Sequence, residues 1–273
     1  MSSVSEILKE KNFRFNKQFG QNFITDTNLL DAMVADSGIT GDDIVVEIGA
    51  GAGTLTKAIA KVAKKVISFE IDRNLKEILA VTLQDCDNVE VIFNDIMKVT
   101  DSELQTLVSD NYKVVANLPY YITTPIIMRF LECDFPPKSL SVMVQKEVAE
   151  RFVAKPNTAD YGAITAVVEL YANAEITRIV GKNNFYPIPK VDSAVIKLDI
   201  VKDKYNCDKS KVKQIIKASF AMRRKTLVNN LMQLGFSREI IENVLAQLNI
   251  DCRVRGEVLS VQDFIGLANL LLI

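Results

Sequence analysis

A chain of 273 residues, of which 48% are apolar, has the length of about two domains and enough apolar side chains for a sizeable core. It contains no histidine, which excludes a Ser-His-Asp hydrolase, and its net charge of −1 does not by itself indicate a nucleic-acid ligand. The four cysteines are far apart and no apolar run approaches the roughly 18 residues of a membrane span. We therefore expect a cytoplasmic protein with reduced thiols, no metal site and no membrane partner.

Strand and helix patterns alternate between residues 26 and 144. In chain order we predict helices over 26–37, 55–62, 75–83, 104–108 and 126–131, and strands over 44–48, 66–69, 89–93, 112–116 and 140–144. Such alternation is typical of an α/β fold with a mostly parallel sheet and helices on both faces. Two later segments, 176–180 and 194–201, have the period-two pattern of strands and could pair as an antiparallel hairpin at one edge of the sheet.

The pattern changes after the last of these strands, where a polar stretch is followed only by helical periodicities. We therefore predict a first domain over residues 1–204, which begins with a basic segment over 1–25, and a small all-helical domain over 205–273. In the second domain Ser260 is expected to begin a helix, because Asp263 three residues later has the spacing of a capping box.

The sequence VVEIGAGAGTLT, residues 45–56, predicts a strand, a glycine-rich turn and the start of a helix. Glycines in such a turn let the backbone approach a ligand closely. The spacing departs from the dinucleotide fingerprint, because Thr54 takes the place of its third glycine. The carboxylate of Glu47 just before the turn disfavours a pyrophosphate and favours a ligand with positive charge. Glu47, Gly49 and Gly51 are therefore candidate cofactor-binding residues, with a tight turn that binds nothing as the alternative.

Acidic residues also follow the next two predicted strands, Glu70 in VISFEIDRN and Asp95 in VIFNDIM. An acid about 20 positions beyond the glycine turn is suited to accept the ribose hydroxyls of a nucleoside. An acid after the third strand could accept from the amino group of adenine. A single acid at a strand end is commonly only solvated, but three in succession indicate one shared ligand. S-adenosylmethionine, which has a ribose, an exocyclic amine and positive charge, fits this set better than a nucleotide phosphate.

The fourth predicted strand runs into Asn117-Leu118-Pro119-Tyr120, within VVANLPYYITTP. Pro119 has a fixed φ and favours an extended conformation at Leu118, so the turn is expected to be stiff. A stiff turn can present the Asn117 amide oxygen and the Leu118 carbonyl as two acceptors for one sp² amino group. Tyr120 offers a flat face on which a base can stack, a contact worth roughly 1–3 kcal/mol. A proline turn that merely closes the strand is the alternative.

NLPY resembles the motif of methyltransferases that act on the N6 amino group of adenine. The wider pattern is similar to the small-subunit (16S) rRNA adenine N6,N6-dimethyltransferases of the KsgA/RsmA type. The stretches that carry this resemblance follow in order from Lys17 to beyond Leu231: KQFGQNFITD, VVEIGAGAGTLT, FEID, NDIM, NLPYYITTPII, MVQKEVAERF, FYPIPKVDSAV and SFAMRRKTLVNNL.

The resemblance implies a Rossmann-like class I methyltransferase sheet with S-adenosylmethionine as the methyl donor. It also implies dimethylation of two adjacent adenosines in a 3′-terminal hairpin loop of 16S rRNA, within the 30S subunit or its precursor. A role in small-subunit biogenesis follows from that substrate, and we expect a monomer.

By position in the family's pattern, the resemblance implies cofactor contacts at Asn22, Ile24, Gly49, Glu70, Asp95 and Asn117. The family usually has proline where this chain has Ala50, so the glycine turn is expected to be slightly less rigid. It usually has leucine in place of Ile24, which matters little if that contact is made by the backbone. Phe185, in FYPIP, would cover the second face of the target base, with a place in the core beside Pro187 as the alternative.

Two basic clusters are candidate contacts to RNA phosphates. The first is the N-terminal segment, which includes Lys17. The second is the run 209–225, which has seven Lys and Arg residues and no acidic one, and which ends in Arg223, Arg224 and Lys225. A solvated helix face is the alternative for either cluster.

Three other functions remain open from the sequence. A 23S rRNA adenine dimethyltransferase of the macrolide-resistance type is disfavoured by the Arg-Arg and Asn-Asn pairs of MRRKTLVNNL. An RNA-binding assembly factor with a vestigial cofactor site is disfavoured by the complete set Glu47, Glu70, Asp95 and Asn117. A DNA adenine methylase is disfavoured because the catalytic tetrapeptide begins with asparagine rather than an acid.

Overall fold

The computed structural model describes residues 22–108 and 111–272. The strands are β1 (Phe23–Ile24), β2 (Ile44–Ile48), β3 (Lys65–Phe69), β4 (Val89–Ile92), β5 (Tyr112–Asn117), β6 (Ser139–Gln145), β7 (Ala172–Val180), β8 (Phe185–Tyr186) and β9 (Ser193–Ile200). The α-helices are α1 (Thr27–Ser37), α2 (Thr54–Ala60), α3 (Lys76–Thr82), α4 (Asp101–Leu107), α5 (Thr123–Glu132), α6 (Lys146–Phe152), α7 (Ala163–Glu169), α8 (Lys209–Ser219), α9 (Leu227–Leu231), α10 (Arg238–Gln247) and α11 (Val261–Leu271).

The large sheet has the strand order β4-β3-β2-β5-β6-β9-β7, and a separate two-stranded ribbon pairs β1 with β8. β4, β3, β2, β5 and β6 pair in parallel, whereas β9 is antiparallel to β6. After β4 the chain returns to the other side of β2, so the strand order reverses between β2 and β5. The predicted mostly parallel α/β sheet is confirmed, and β7 and β9 are neighbours at one edge as expected.

The parallel strands are rich in apolar, mostly β-branched residues, and β2, β3, β5 and β6 are largely buried, as expected of strands that are covered on both faces. Val45, Val46 and Val66, for example, are 0% exposed. One apolar cluster packs residues of α1 and α2 on these strands. A second cluster packs α3 against the turn after β2, through Leu79, Ala50 and other residues. That turn is therefore held by the core and not only by its own hydrogen bonds.

Local signals in the sequence set the ends of several helices. Asp26 caps α1, because its carboxylate accepts from the amides of Asn28 and Leu29. Gly38 ends the same helix with a φ of 67°, a left-handed conformation that glycine adopts without strain. Ser260 caps α11 in the predicted capping box. Within the described ranges, no helix is both long and apolar enough to cross a membrane.

The chain divides into two compact units, one of Met1–Ala149 with Glu175–Ile200 and the other of Glu150–Ala174 with Val201–Ile273. The predicted boundary near Lys204 lies close to the last of these divisions. The structure differs from the predicted domains in one respect, because residues 150–174 belong to the second unit although the sequence assigned them to the first. The sequence had also left helices α6 and α7 unassigned.

Contacts within the second unit explain why residues 150–174 belong to it. The ring of Tyr161, which is 1% exposed, lies 5.9 Å from the ring of Phe220 in an edge-on arrangement. The ammonium group of Lys209 lies 4.5 Å above the ring of Tyr171. These contacts join segments that are some 40 to 60 residues apart in sequence, so no local pattern could have predicted them.

Candidate active site

The carboxyl ends of β2, β3, β4 and β5 border a cleft of about 890 Å³, a volume that includes its open mouth. The cleft lies where the strand order reverses, which is where open α/β sheets bind ligands. Of the twelve residues predicted to bind cofactor or take part in catalysis, ten line it: Asn22, Gly49, Gly51, Glu70, Asp95, Asn117, Leu118, Pro119, Tyr120 and Phe185.

The glycine turn after β2 has a backbone that only glycine accommodates well. The φ angles are 80° at Gly49 and 56° at Gly51, and a β-carbon at Gly51 would lie 2.9 Å from the ring of Phe23. The amides of Gly49 and Ala50 both donate to the carbonyl of Phe69, at 2.8 and 3.3 Å. Ala50 thus makes a hydrogen bond that proline, which has no backbone N–H, could not make. This bond compensates for the rigidity that the turn lacks without a proline ring.

The carboxylate of Glu70 is 6% exposed and accepts three backbone hydrogen bonds. The amide of Gly51 donates to one oxygen, and the amides of Ile71 and Asp72 donate to the other, each at 2.8 Å. Burial raises the pKa of Glu70 above its ordinary value, and these three amides oppose the rise. Glu70 therefore fixes the glycine turn and also brings carboxylate oxygens to the cleft, where a pair of ribose hydroxyls could donate to them.

Asp95 follows β4 and has one carboxylate oxygen committed to the protein. That oxygen accepts from the amide of Met97 at 3.0 Å and caps the short 3₁₀ helix Ile96–Lys98. The other oxygen accepts no hydrogen bond from the residues that the structure describes. It is an acceptor suited to the amino group of an adenine ring in the cleft.

Asn117, the last residue of β5, has a side-chain amide whose orientation is set by Asn22, the residue before β1. Its amino group donates to the backbone carbonyl of Asn22 at 3.0 Å, which leaves the amide oxygen as the acceptor for a ligand. The carbonyl of Leu118, the next residue in the cleft wall, likewise has no donor among the described residues. Both residues line the cleft, which is where the predicted pair of acceptors would be needed.

The aromatic side chains of the cleft differ in how they are held. The hydroxyl of Tyr120 shares a hydrogen bond of 3.1 Å with the hydroxyl of Ser193, which fixes the half-buried ring. The turn itself is closed by the amide of Ile122, which donates to the carbonyl of Pro119 at 3.1 Å. Phe185 is only 3% exposed and belongs to the apolar core, yet it also borders the cleft, so the predicted core position and the predicted site position describe the same ring.

Nine of the described residues that line the cleft were not singled out as site residues from the sequence, and Phe23 and Tyr121 are among them. Phe23 is 6% exposed and its ring approaches Gly51, although the sequence had pointed to the residues on either side of it. Tyr121 is 61% exposed and borders the cleft beside Tyr120. The available signals were the position of Phe23 between two predicted cofactor residues and the second tyrosine of the NLPYY stretch.

Two predicted cofactor residues do not reach the cleft. Ile24 is 2% exposed and packs in the apolar core. Its neighbours Phe23 in β1 and Phe185 in β8 line the cleft instead. Glu47 is fully buried beneath the glycine turn, and one of its oxygens accepts from the hydroxyls of Thr56 and Ser68 at 2.5 and 2.6 Å. Ser68 lies directly opposite Glu47 in the β2–β3 register. Glu47 is therefore part of the framework under the glycine turn and is not among the residues that line the cleft.

The buried carboxyl group of Glu47 should make stability depend on pH. Burial, with a smaller contribution from the nearby Glu70 carboxylate, raises its pKa from 4.5 to about 7, and the two hydroxyl donors oppose the rise. Between those two pH values the folded chain keeps a proton that the unfolded chain has lost. Stability from this group is therefore complete below about pH 4.5 and is lost as the pH rises through about 7.

We expect urea unfolding to show that Glu47→Gln removes this pH dependence. Relative to the variant, the unmodified protein should lose on the order of 3 kcal/mol of unfolding free energy between about pH 5 and about pH 8. Glutamine has the same shape and no charge, so the comparison isolates the ionisation. Parallel stability profiles for the two proteins would show that Glu47 has the same pKa folded and unfolded.

The predicted RNA contacts lie elsewhere. Arg223, Arg224 and Lys225 are exposed in the second unit, between α8 and α9, and Lys17 lies outside the described residues. Within the described part of the chain, no group of three or more acidic or cysteine side chains is arranged to hold a metal ion.

Comparison with known proteins identifies the kind of site that this is. A family model described as ribosomal RNA adenine dimethylase matches residues 12–271. Two relatives named ribosomal RNA small subunit methyltransferase A are each 46% identical to the chain. The one from Clostridioides difficile aligns with 99% of this chain and 95% of its own length, and the one from Bacillus licheniformis with 97% and 94%.

Solved structures show the same architecture. A dimethyladenosine transferase from Plasmodium falciparum matches with a TM-score of 0.77 and 26% identity, over 90% of this chain and 95% of its own. The 23S rRNA methyltransferase ErmE matches with a TM-score of 0.71 over 92% of this chain and 100% of its own. Because the identity to ErmE is only 22%, that likeness concerns the fold alone.

Proposed function

The chain belongs to the ribosomal RNA adenine dimethylase family, and we propose that it transfers methyl groups from S-adenosylmethionine to N6 of two adjacent adenosines in a 3′-terminal hairpin loop of 16S rRNA. Relatives that are 46% identical over nearly the full chain carry the small-subunit name, which favours 16S over 23S rRNA. The observation that carries the chemistry is the pair of free acceptors at Asn117 and Leu118 in the cleft.

The cofactor side of the cleft is formed by the glycine turn and two acids. When bound, S-adenosylmethionine supplies an electrophilic methyl group on a positively charged sulfur. Glu70 would accept from the ribose hydroxyls and Asp95 from the adenine amino group of the cofactor. The glycines at positions 49 and 51 leave room for it at the backbone. Two carboxylates near the ligand also suit its positive charge.

On the substrate side, Asn117 and Leu118 would hold the N6 amino group of the target adenosine. Their two oxygens accept its two N–H groups, which fixes the nitrogen and makes its lone pair more available for attack. Positioning of this kind can supply much of a rate enhancement. A general base is unnecessary because a methylated N6 ammonium is acidic enough to lose its proton to water. A chain without histidine is therefore compatible with the reaction.

Tyr120 would support the target base once it has left its stack in the RNA. Swinging a base out costs a few kcal/mol, and stacking on an aromatic ring can return roughly 1–3 kcal/mol of that. The hydrogen bond to Ser193 holds the Tyr120 ring, so little side-chain entropy is lost when the base arrives. Phe185 borders the same cleft and could contact the other face of the base.

Basic residues of the second unit would bind the RNA backbone. Arg223, Arg224 and Lys225 are exposed and are suited to phosphate contacts, and we assign the same role to Lys17. We also propose that the protein acts as a monomer in the cytoplasm, on the 30S subunit or its precursor. Recognition would depend on the folded RNA in that particle more than on base sequence.

A methylation assay with isolated ribosomal subunits tests this function. Protein incubated with labelled S-adenosylmethionine should label 30S particles that lack the modification and should leave 50S particles unlabelled. Mass spectrometry of nuclease fragments should then locate N6,N6-dimethyladenosine at two neighbouring positions of 16S rRNA. Label on 50S particles alone would identify the 23S enzyme type. Cofactor binding without label on either particle would identify an assembly factor with a vestigial site.

A further inference from the structure

The basic loop Phe220–Thr226, which joins α8 to α9, carries Arg223, Arg224 and Lys225. Residues 221–225, which form the middle of this loop, are all exposed at the surface of the second unit. The sequence NNL, residues 229–231, follows in α9, and none of its three residues lines the cleft. Its two asparagines nevertheless have different environments, which points to a role for one of them in this loop.

Asn230 is fully buried and ties α9 to the start of the basic loop. Its side-chain amino group donates to the carbonyl of Ser219 at 2.7 Å and to that of Met222 at 3.2 Å. The first carbonyl belongs to the last turn of α8, where helices leave acceptors unsatisfied. One amide thus fixes both the end of α8 and the backbone immediately before Arg223.

Close packing holds the same point from the other side. A β-carbon at Gly256 would lie 2.7 Å from the carbonyl oxygen of Ser219, so the glycine lets two backbones meet there. The far end of the loop is held by Leu227, whose amide donates to the carbonyl of Val254 at 2.8 Å. Both ends of the basic loop are therefore fixed within the second unit.

The three basic side chains of the loop are not equivalent. The guanidinium of Arg223 donates to the backbone carbonyl of Ala159 at 2.9 Å, so this arginine makes a contact within the protein. Arg224 and Lys225 make no side-chain hydrogen bond or ion pair with any residue within 22–108 and 111–272. Their backbone is shaped by a turn in which the Lys225 amide donates to the Met222 carbonyl at 3.0 Å.

We propose that Asn230 is a positioning residue that holds the basic loop so that Arg224 and Lys225 contact phosphates of the RNA substrate, with Arg223 anchoring the loop to the protein. This inference rests on the proposed function, in which the second unit binds rRNA. It assigns the phosphate contacts to one residue of the Arg-Arg pair and to the lysine, whereas the sequence had treated the arginines alike.

Salt-dependent binding of the full-length protein to 30S particles that lack the modification provides the test. Each lost phosphate contact should reduce the slope of log K against log salt by about 0.7–0.9. Replacing both Arg224 and Lys225 by Ala should lower the slope by roughly 1.5. Asn230→Ala should lower it by at least half as much, raise KM for the particle and leave kcat and cofactor affinity unchanged. Added to the double replacement, Asn230→Ala should lower the slope no further.

Two further variants separate positioning from loss of folding. Asn229→Ala is the matched control and should leave the slope unchanged. Asn229 lies on the same helix, and among the described residues its half-buried side chain accepts a hydrogen bond only from Arg238, at 2.8 Å. Gly256→Ala should displace the Ser219 carbonyl and lower the slope as Asn230→Ala does, although it leaves Asn230 intact. All binding is measured at temperatures where circular dichroism shows each variant folded.

The outcomes distinguish the two levels of the proposal. A wild-type slope for folded Asn230→Ala and Gly256→Ala, with a reduced slope for the double replacement, would overturn the positioning role and leave RNA binding by the loop intact. A wild-type slope for the double replacement would overturn both this inference and the proposed RNA-binding surface. Methyl transfer to 30S particles would then still test the catalytic proposal independently.

Discussion

Asn117→Ala is expected to lower kcat for methyl transfer by about 10²- to 10³-fold, while the affinity for S-adenosylmethionine changes by less than about tenfold. The variant keeps the carbonyl of Leu118 but loses the second acceptor for the N6 amino group, so the nitrogen is no longer held by both of its N–H groups. It also loses the hydrogen bond to Asn22. The proposed cofactor contacts are unaffected, because Glu70 and Asp95 follow two other strands, β3 and β4.

Single-turnover transfer to 30S particles and calorimetric titration of the cofactor measure these two quantities separately. Asn111→Ala is the matched control, because Asn111 immediately precedes β5 at its other end and is exposed. That variant should turn over at the wild-type rate. If Asn117→Ala also kept the wild-type rate, the amide oxygen would have no part in holding the amine. A proportionate loss of cofactor binding would instead make Asn117 a cofactor residue alone.

The sheet was predictable because most residues of its parallel strands are buried, so that these strands appear in the sequence as short, mainly apolar runs rich in β-branched residues. β2, β3 and β5 were placed to within one residue at each end. The helices α6 and α7 were missed for the opposite reason. Each is only seven residues long, which is too short for a strong periodic pattern. The segment that contains α7 is held in the second unit by contacts distant in sequence, such as that between Tyr161 and Phe220.

The site was predictable wherever a residue's place in the chain sets its place in space. A side chain that follows a parallel strand must lie at the carboxyl edge, which is why Glu70, Asp95 and Asn117 meet in one cleft. Glu47 precedes its strand end by one residue, and the alternation of strand side chains turns it into the protein. Its partners are Thr56 in the helix α2 and Ser68 in the neighbouring strand β3, and only the fold brings the three residues together.

The two asparagines of NNL show that prediction from sequence has the same limit in the second unit. As sequence they are an identical pair, and a helical pattern does not say which of them is buried. In the structure Asn230 is fully buried and holds two backbone carbonyls, whereas the side chain of Asn229 accepts from an exposed arginine. The difference is set by the contact of α9 with the end of α8. A family resemblance could mark both residues but could not assign them different roles.

Glu70→Gln is expected to weaken the binding of S-adenosylmethionine by roughly a hundredfold or more. A hydrogen bond to a charged acceptor contributes about 1.5–3 kcal/mol, and a loss of about 3 kcal/mol corresponds to a factor of about 150 in Kd. Glutamine has one oxygen and one amino group in place of two oxygens. Both carboxylate oxygens of Glu70 accept hydrogen bonds from backbone amides. In the variant the amino group of glutamine must therefore replace one of these acceptors and face either the N–H of Gly51 or those of Ile71 and Asp72.

The substitution therefore acts twice, since it removes a charged acceptor for the ribose and also disturbs the glycine turn that lies against the ligand. Glu90→Gln is the matched control, because Glu90 lies on the neighbouring strand β4 and pairs with Lys65 at the surface. Exposed ion pairs contribute little, so that variant should bind the cofactor as the unmodified protein does. Calorimetry of both variants decides the matter: a Kd within threefold of wild type for Glu70→Gln would place the ribose elsewhere in the cleft.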